Sequence, residues 1–191
     1  MSFETRRDFY KSFPQGGLVI EVGVLRGDNA INIYNFIKSD RLILIDTWDK
    51  DCYDPTTGEL LNGEETYQKC KNKFSNRFNV DLWRGKSEDL IPKLKNKSVN
   101  FAFIDTYPYY EDRLAALEAM LPKMSSGGWL CGHDYCEIFQ YGVVRAVAVF
   151  IDRHNLKIDK LTDYPLAPVT GSDRKYYSTQ TSYNSFGILI P

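Results

Sequence analysis

The sequence predicts a doubly wound α/β fold, and three observations support this prediction. Short apolar runs, typical of strands that are covered on both faces, alternate with segments of helical periodicity. The first run leads into a loop with two glycines four positions apart, Gly23 and Gly27. Three later runs end in a carboxylate, at Asp46, Asp105 and Asp134. Because parallel strands end at the same edge of such a sheet, we expect the ligand site at that edge.

Composition limits the class of protein. At 191 residues with 43% hydrophobic content, the chain is long enough for one core, and we predict a single domain over residues 1–191. The net charge of −1 gives no electrostatic basis for binding nucleic acid or an anionic membrane, so we expect a small-molecule partner and neither of those. The sequence has no signal-peptide core and no apolar run of membrane length, and a cytoplasmic location is expected.

The opening unit, residues 17–30, has the order strand, loop, helix. Its apolar run reaches the loop directly, and Asp28 or Asn29 is suited to cap the helix that follows. Glycines at positions 23 and 27 let the backbone approach a ligand closely, and the helix start adds unpaired N–H groups. A nicotinamide site would have the spacing GxGxxG, which this loop lacks, so a ligand without a diphosphate is favoured.

The other elements continue the alternation as far as the C-terminal part. We predict strands at residues 41–46, 80–83, 99–105 and 129–134, a loop at residues 47–64, and helices from residue 65 and at residues 90–94, 113–124 and 142–154. Ser87 is suited to cap the helix at 90–94, and Gly127 with Gly128 to stop the helix at 113–124. The two ends differ from this pattern. Residues 1–16 are predicted as a helical extension, and residues 155–191 as an antiparallel strand pair joined by a long loop.

Five motifs stand in order along the chain: EVGVLRG, LILIDTW, GKSEDLIPKL, FIDTYPYYED and LPKMSSGGWLCGHDY, the last followed by GVVRAV. Together they resemble the class I S-adenosylmethionine (SAM)-dependent methyltransferases, and within them the small branch similar to macrocin O-methyltransferase and other sugar or natural-product O-methyltransferases. The resemblance covers residues 17–151, and the terminal SFGILI fits the last antiparallel strand of the family. It implies a Rossmann-like fold, SAM as methyl donor, and a small-molecule hydroxyl, in a sugar or glycosylated metabolite, as acceptor.

The resemblance also implies a donor site. Its residues are Glu21, Gly23 and Gly27 at the methionine part, Asp46 at the ribose, Ser87 and Glu88 near the adenine, and in addition Asp105. A carboxylate at the end of the second strand suits the two ribose hydroxyls of a nicotinamide cofactor equally well. Asp46 therefore does not separate the two classes of ligand.

A metal site is implied by the same resemblance. Asp105 and Asp134 match positions that hold a divalent cation in the metal-dependent members, and His133 lies at a further metal-side position. Two strand-end carboxylates that converge on one crevice repel each other, and an oxygen-preferring ion such as Mg²⁺ relieves that repulsion. The ion also lowers the pKa of a coordinated hydroxyl and orients it. We therefore expect methyl transfer with Mg²⁺ assistance.

One position departs from the family pattern. That pattern is approximately IDxxHxYE, and its histidine, commonly assigned as the general base, is replaced here by Pro108. Because proline cannot accept a proton, the candidate catalytic residues are His133, Asp105 and Tyr107, with Tyr109 as a further candidate, unless the metal alone suffices or the acceptor and the chemistry differ. The alternative function is a protein that binds SAM or S-adenosylhomocysteine (SAH) in a regulatory role without turnover. A nicotinamide oxidoreductase ranks third, and a homo-oligomer is compatible with each of these functions.

Overall fold

The computed structural model describes residues 2–49, 51–53, 60–136, 142–163, 167–168, 180–181 and 183–191. The strands are β1 (Ser2–Phe3), β2 (Leu18–Val22), β3 (Arg41–Asp46), β4 (Cys52–Tyr53), β5 (Leu60–Leu61), β6 (Val80–Arg84), β7 (Val99–Ile104), β8 (Met124–Tyr135), β9 (Lys160–Thr162), β10 (Ala167–Pro168), β11 (Gln180–Thr181) and β12 (Asn184–Leu189). The helices are α1 (Arg6–Lys11), α2 (Asp28–Ile37), α3 (Gly63–Lys73), α4 (Ser87–Leu90), α5 (Tyr110–Met120) and α6 (Val143–His154), with 3-10 turns at Ile91–Lys93 and Leu121–Lys123. Within these residues, no helix has the length and apolar character needed to cross a membrane.

Eight strands form the central sheet, in the order β1-β9-β12-β8-β7-β2-β3-β6. Neighbouring strands are parallel except at β12, which runs antiparallel to both β8 and β9. The predicted doubly wound sheet with a C-terminal antiparallel pair is therefore confirmed. Most of the long loop predicted between the last two strands lies outside the described residues.

The direction of winding reverses between β2 and β7. The chain moves outward from β2 through β3 to β6, and then returns to place β7 on the other side of β2. At this point the backbone N–H of Asp105 donates to the carbonyl of Val22 at 2.7 Å, and the N–H of Gly23 donates to the carbonyl of Ile45 at 2.9 Å. Open α/β sheets bind their ligands in the crevice beside such a reversal. The carboxyl ends of β2, β3 and β7 are thus aligned at the expected site.

The core consists of two apolar clusters, one on each face of the sheet. Side chains alternate between the faces along β2, so that Ile20 and Val22 pack with residues of α4, α5 and α6, while Val19 packs with residues of α1 and α2. The same alternation divides Leu42 and Ile43 of β3 between the clusters. Burial on both faces explains why these strands read as continuous apolar runs in the sequence.

The N-terminal extension is part of the core. Helix α1 is shorter than the predicted segment and buries Phe9 and Tyr10, and the ring of Tyr10 meets that of Phe103 edge-on at 5.7 Å. Lys160 of β9 donates to the backbone carbonyl of Ser12 and, at 2.8 Å, to its hydroxyl. The short strand β1, which the sequence did not predict, pairs with β9. Both ends of α1 are therefore fixed against the sheet.

Several predicted boundaries were wrong. Gly27, in the left-handed region, takes the cap position of α2 that was predicted for Asp28 or Asn29. Lys86 precedes α4, so Ser87 is its first residue and forms no side-chain cap. Helix α5 ends in the 3-10 turn at Leu121–Lys123, because a proline in that turn cannot continue the helix, and Gly127 with Gly128 lies inside β8.

Candidate functional site

The glycine loop needs glycine at its first position. Gly23 has φ +86°, and a Cβ atom there would lie 2.1 Å from the carbonyl oxygen of Asp105. Gly27 has φ +76°, and its missing side chain leaves room for Cys70 and Phe74 of the α3 region. The close approach at Gly23 brings the loop against the end of β7. The predicted glycine positions are thus required by the backbone, whatever ligand binds beside them.

Asp46 shapes the same loop. Its Oδ2 accepts hydrogen bonds from the backbone N–H groups of Val24 at 2.7 Å and Leu25 at 2.8 Å, and its Oδ1 accepts one from the N–H of Trp48 at 3.2 Å. The indole N–H of Trp48 donates to the carbonyl of Leu25 at 2.8 Å. Carboxylate oxygens can accept more than one hydrogen bond, so these contacts leave the ribose assignment of Asp46 a prediction.

Glu21 is fully buried beside the loop. Its Oε1 accepts a hydrogen bond from Nδ2 of Asn29 at 2.8 Å, while Oε2 has no hydrogen-bond partner among the described residues. Burial raises the pKa of Glu21 well above its ordinary value. A buried carboxylate oxygen without a donor is costly unless a ligand supplies one. An ammonium group, such as that of a methionine derivative, fits this oxygen, and the predicted donor pocket is compatible with the residues present.

A second cluster forms at the ends of β7 and β8. Nδ1 of His133 lies 3.0 Å from Oδ1 of Asp134 and 3.7 Å from Oδ1 of Asp105. Asp134 has φ +58° and lies at a β-bulge, where β8 has one residue more than β12 between Gly132 and Tyr135. The sheet therefore brings together the three residues that were predicted at the metal side. Their ligand atoms all lie within 4.8 Å of one another.

Arg113 supports this cluster from below. Its side chain is fully buried, and it donates to the carbonyl oxygens of Ile104 and Thr106, the latter at 3.0 Å. Nη2 of Arg113 lies 3.8 Å from Oδ2 of Asp134. A guanidinium group offers five donors in a fixed plane, which explains how one side chain can hold two strand-end carbonyls and face a carboxylate.

Arg6 reaches the cluster from helix α1. Its Nη2 lies 2.6 Å from Nε2 of His133, and its Nη1 donates to Oδ1 of Asn29 at 3.1 Å. Because a guanidinium only donates hydrogen bonds, Nε2 of His133 is the acceptor, and the ring proton resides on Nδ1, directed at Asp134. Arg6 thus links the glycine-loop side of the crevice to the cluster at β8.

The two carboxyl groups have opposite pKa directions. Burial raises the pKa of Asp105, and the nearby charge of Asp134 adds to the rise. Asp134 is also buried, but the attraction of His133, the hydrogen bond from His133 and the charge of Arg113 outweigh that burial and hold its pKa below the ordinary value. Asp134 is therefore the ionised partner of the imidazole.

A divalent cation fits this cluster only in part. The carboxylate oxygens of Asp105 and Asp134 are ligands of the type that Mg²⁺ prefers. In contrast, both nitrogens of His133 are engaged, Nδ1 with Asp134 and Nε2 with Arg6. The charges of Arg6 and Arg113 also offset those of the two carboxylates. The arrangement supports a cation held by the two aspartates, with His133 outside its ligand set.

The other predicted residues lie on the loops around this edge. Ser87 is half-buried and Glu88 exposed at the start of α4, which follows β6. The ring of Tyr107 is 63% exposed and stacks on that of Tyr109, with centroids 6.3 Å apart. Pro108 accepts a hydrogen bond at its carbonyl from the N–H of Gly142 at 2.7 Å. Tyr107 and Tyr109 therefore form an aromatic surface beside the predicted base position.

Sequence reasoning missed Arg6, Asn29 and Arg113 as site residues. A signal for each arginine exists in the helical periodicity. Arg6 precedes the apolar positions 9, 10 and 13 at helical spacing, and Arg113 shares the buried face of α5 with Leu117 and Met120. A charge on an apolar helix face needs a partner, and both partners lie at this edge of the sheet.

Comparison with known proteins identifies the class. A sequence model described as a methyltransferase domain matches residues 20–135. Similar solved structures include a candidate methyltransferase from Streptococcus mutans in complex with SAH, with 14% identity, 95% of this chain and 93% of that chain covered, and a TM-score of 0.59. An rRNA methylase from Streptococcus thermophilus has 14% identity and a TM-score of 0.59, and the match covers 96% of this chain and 93% of that chain. Precorrin-6y C5,15-methyltransferase from Geobacter metallireducens has 12% identity and a TM-score of 0.59, and the match covers 95% of this chain and 83% of that chain.

The chain therefore belongs to this methyltransferase domain family. Its fold is that of the class I SAM-dependent methyltransferases, and it is an enzyme of that class. A search of curated proteins found no significant match. At 14% identity or less, the structural similarities show the fold alone, and they do not distinguish the macrocin O-methyltransferase branch from others.

Proposed function

We propose that the enzyme methylates a hydroxyl group of a small molecule, such as a sugar or glycosylated metabolite, with SAM as the donor. The observation that carries this proposal is the contact between two groups of residues across the reversal of the sheet. We call the loop at residues 23–27 with Glu21, Asn29 and Asp46 the donor half, and Asp105, Arg113, His133 and Asp134 the acceptor half. Gly23 touches the backbone of Asp105, so a bound donor and the acceptor half would be adjacent.

The protein is expected to accelerate methyl transfer mainly by positioning the donor and the acceptor. When bound, SAM supplies a methyl group on a sulfonium, which transfers to an acceptor oxygen aligned with the breaking bond. The orphan Oε2 of Glu21 supports a donor held by its ammonium group, and the space kept at Gly23 supports close contact with the loop backbone. The SAH complex of the Streptococcus mutans protein of the same fold supports the choice of ligand.

His133 is the residue best suited to take the proton of the acceptor hydroxyl. Asp134 accepts a hydrogen bond from Nδ1 of His133 and so orients the imidazole. Nε2, which accepts from Arg6 in this structure, would take the proton of the acceptor hydroxyl once Arg6 moves away from it. Asp134 also stabilises the imidazolium that proton uptake produces. Pro108, at the position of the family histidine, offers no proton acceptor, so a base from β8 replaces one from the loop after β7.

Magnesium assistance stays part of the proposal. Asp105 and Asp134 would hold the ion, and the ion would lower the pKa of a coordinated hydroxyl. We expect that Asp105→Asn or Asp134→Asn removes any dependence of turnover on Mg²⁺ while donor binding persists. If the wild-type protein turns over at the same rate in the presence of a chelator, and both variants also turn over at that rate, the role of Mg²⁺ is contradicted. The rest of the proposal is not affected by that result.

A small acceptor is favoured over RNA by charge and by the rim of the crevice. The chain has a net charge of −1, which gives no attraction for a phosphate backbone. Tyr107 and Tyr109 offer ring faces and hydroxyls that suit a sugar or an aromatic metabolite. Related folds act on both kinds of acceptor, since the similar structures include an rRNA methylase and a precorrin methyltransferase.

The test is transfer of labelled methyl groups from SAM to a panel of sugars, glycosylated metabolites and RNA. We expect transfer to at least one hydroxyl compound, none to RNA, and strong loss of transfer in His133→Gln. Binding of SAH without transfer to any acceptor would favour the alternative of a regulatory SAM-binding protein, which Pro108 supports. Transfer to RNA alone would overturn the small-molecule proposal.

A further inference from the structure

A concave surface lies between the glycine loop and helix α3. Its volume is about 540 Å³, and it is lined by Arg26, Asp28, Lys69, Asn72 and Lys73. The first of these residues belongs to the loop, the second begins α2, and the other three lie on α3. Pockets that take small molecules have volumes of about 300–1,000 Å³. We call this surface the basic concavity, and its size suits a small ligand.

Three positive charges and one negative charge line the basic concavity. Asp28 is shared by two of the cations, because its Oδ1 accepts from Lys73 and its Oδ2 accepts from Nε of Arg26 at 3.3 Å. The hydrogen bond from Lys73 is the largest cause that holds the pKa of Asp28 below its ordinary value. Lys69 forms no ion pair with the residues that the structure describes. The surface therefore has an excess of two positive charges, although the net charge of the chain is −1.

Helix stability does not explain the position of Lys69. Lys71 and Lys73 lie in the last turn of α3, where cations interact favourably with the helix dipole, but Lys69 lies before that turn. Lys69 and Lys73 are four positions apart, so they share one side of the helix and repel each other. A ligand with more than one negative charge would relieve this repulsion.

We propose that the basic concavity binds a diphosphate group, either as inorganic pyrophosphate or as the diphosphate end of a nucleotide. Lys69 and Lys73 are one helical turn apart, so each can face one phosphoryl group. The planar guanidinium of Arg26 matches phosphate oxygens, and the amide of Asn72 adds a hydrogen-bond donor. The diphosphate competes with Asp28 for its two cations. This inference does not depend on the proposed function.

The first test is a calorimetric titration of inorganic pyrophosphate, uridine diphosphate and uridine at low ionic strength. We expect saturable binding of both diphosphates, no binding of uridine, and weaker binding as salt screens the charges. Tighter binding of uridine diphosphate than of pyrophosphate assigns the site to a nucleotide, and the reverse order assigns it to the inorganic ion.

Lysine variants test whether the basic concavity is the place of binding. Lys69→Gln and Lys73→Gln should each weaken pyrophosphate binding by about 5-fold. Lys71→Gln is the matched control, because exposed Lys71 lies on the same helix and does not line the concavity. It should leave the affinity unchanged. In amide NMR spectra, pyrophosphate should shift the signals of residues 26, 69, 72 and 73.

Asp28→Asn tests the competition and should act in the opposite direction. Without the carboxylate, Arg26 and Lys73 are available to the ligand, so we expect pyrophosphate binding to strengthen by about 5-fold. Glu65→Gln removes an exposed carboxylate of α3 that does not line the concavity, and it should have no such effect. An equal gain in both variants would show a general effect of net charge and overturn the competition.

Three results would overturn the site itself. One is the absence of pyrophosphate binding at millimolar concentration. Another is an equal loss of affinity in the variants of Lys69, Lys71 and Lys73, which would show diffuse attraction to a basic helix. The third is tighter binding of a short RNA oligonucleotide than of either diphosphate, lost in the same two lysine variants, which would show a nucleic-acid surface. Failure of the wild-type protein to bind SAH contradicts the proposed function and leaves these results unaffected.

Discussion

Backbone geometry builds the donor half of the crevice, whereas charged side chains build the acceptor half. In the donor half, Gly23 fits because a Cβ atom would meet a carbonyl oxygen, and Asp46 binds three backbone N–H groups. In the acceptor half, fully buried Arg113 holds the strand-end carbonyls and faces Asp134, which pairs with His133. The first half therefore depends on the backbone of one loop, while the second depends on side chains that β7, β8 and α5 bring together.

The largest effect should come from Gly23→Ala, which breaks the donor half. The new Cβ atom would lie 2.1 Å from the carbonyl oxygen of Asp105, and alanine disfavours φ +86°. We expect a loss of about 3–5 kcal/mol in the free energy of unfolding and no SAH binding. Gly127→Ala is the control, because Gly127 has φ +77° and open space around it. This variant should lose only about 1–2 kcal/mol in the free energy of unfolding. Equal losses in denaturant unfolding would refute the role of the close contact.

Arg113→Met should disrupt the acceptor half, with a slightly smaller loss in the free energy of unfolding than Gly23→Ala causes. It removes a buried cation from two carbonyl oxygens and from Asp134, and we expect a loss of about 2–4 kcal/mol on unfolding. Methyl transfer should fall more than SAH binding does. Arg153→Met removes an exposed pair with Glu118 and should change stability by about 0.5 kcal/mol or less. An Arg113→Met variant as stable as this control would contradict the supporting role of Arg113.

Asp46→Asn tests whether the loop depends on a carboxylate. Loss of the charge weakens the bonds from Val24 and Leu25, so we expect a loss of about 1–2 kcal/mol in the free energy of unfolding and weaker SAH binding. Asp40→Asn is matched to it, because Asp40 accepts from the N–H of Gly17 at 2.7 Å at the opposite end of the sheet. That control should lose stability without losing affinity for SAH. If both variants lose affinity for SAH, the loss in Asp46→Asn results from general destabilisation of the fold and not from the loop.

The smallest effect concerns pH and Glu21. Burial raises its folded-state pKa above the ordinary 4.5, so its contribution to stability is complete below that value and is lost as the pH rises through the folded-state pKa. The wild-type protein should therefore lose stability relative to Glu21→Gln as the pH increases from 4.5. Denaturant unfolding of both proteins across the pH range measures this difference. A constant difference would contradict the raised pKa.

Much of the fold follows from local patterns. The apolar runs of β2, β3 and β7 are continuous because both faces of these strands are buried, and the glycines of the first loop mark backbone that other residues disfavour. The ends of the helices were less predictable. Gly27 caps α2 through its left-handed backbone, and a proline ends α5 seven residues before the glycine pair that was expected to stop it.

The candidate site was predicted only where strand ends determine it. Asp105, His133 and Asp134 follow from two adjacent strands, so their convergence was expected. The contact between Arg6 and His133 spans 127 positions and depends on how α1 docks through Tyr10 and Lys160. No local pattern encodes that docking, so Arg6 was not among the predicted site residues.

Binding of the methyl donor at this edge of the sheet can be measured by calorimetric titration of SAH into the wild-type protein. We predict saturable binding of one SAH molecule per chain at micromolar concentration, with the affinity abolished in Gly23→Ala and retained in Gly127→Ala. Absence of binding at millimolar SAH, in protein that unfolds cooperatively, would contradict it.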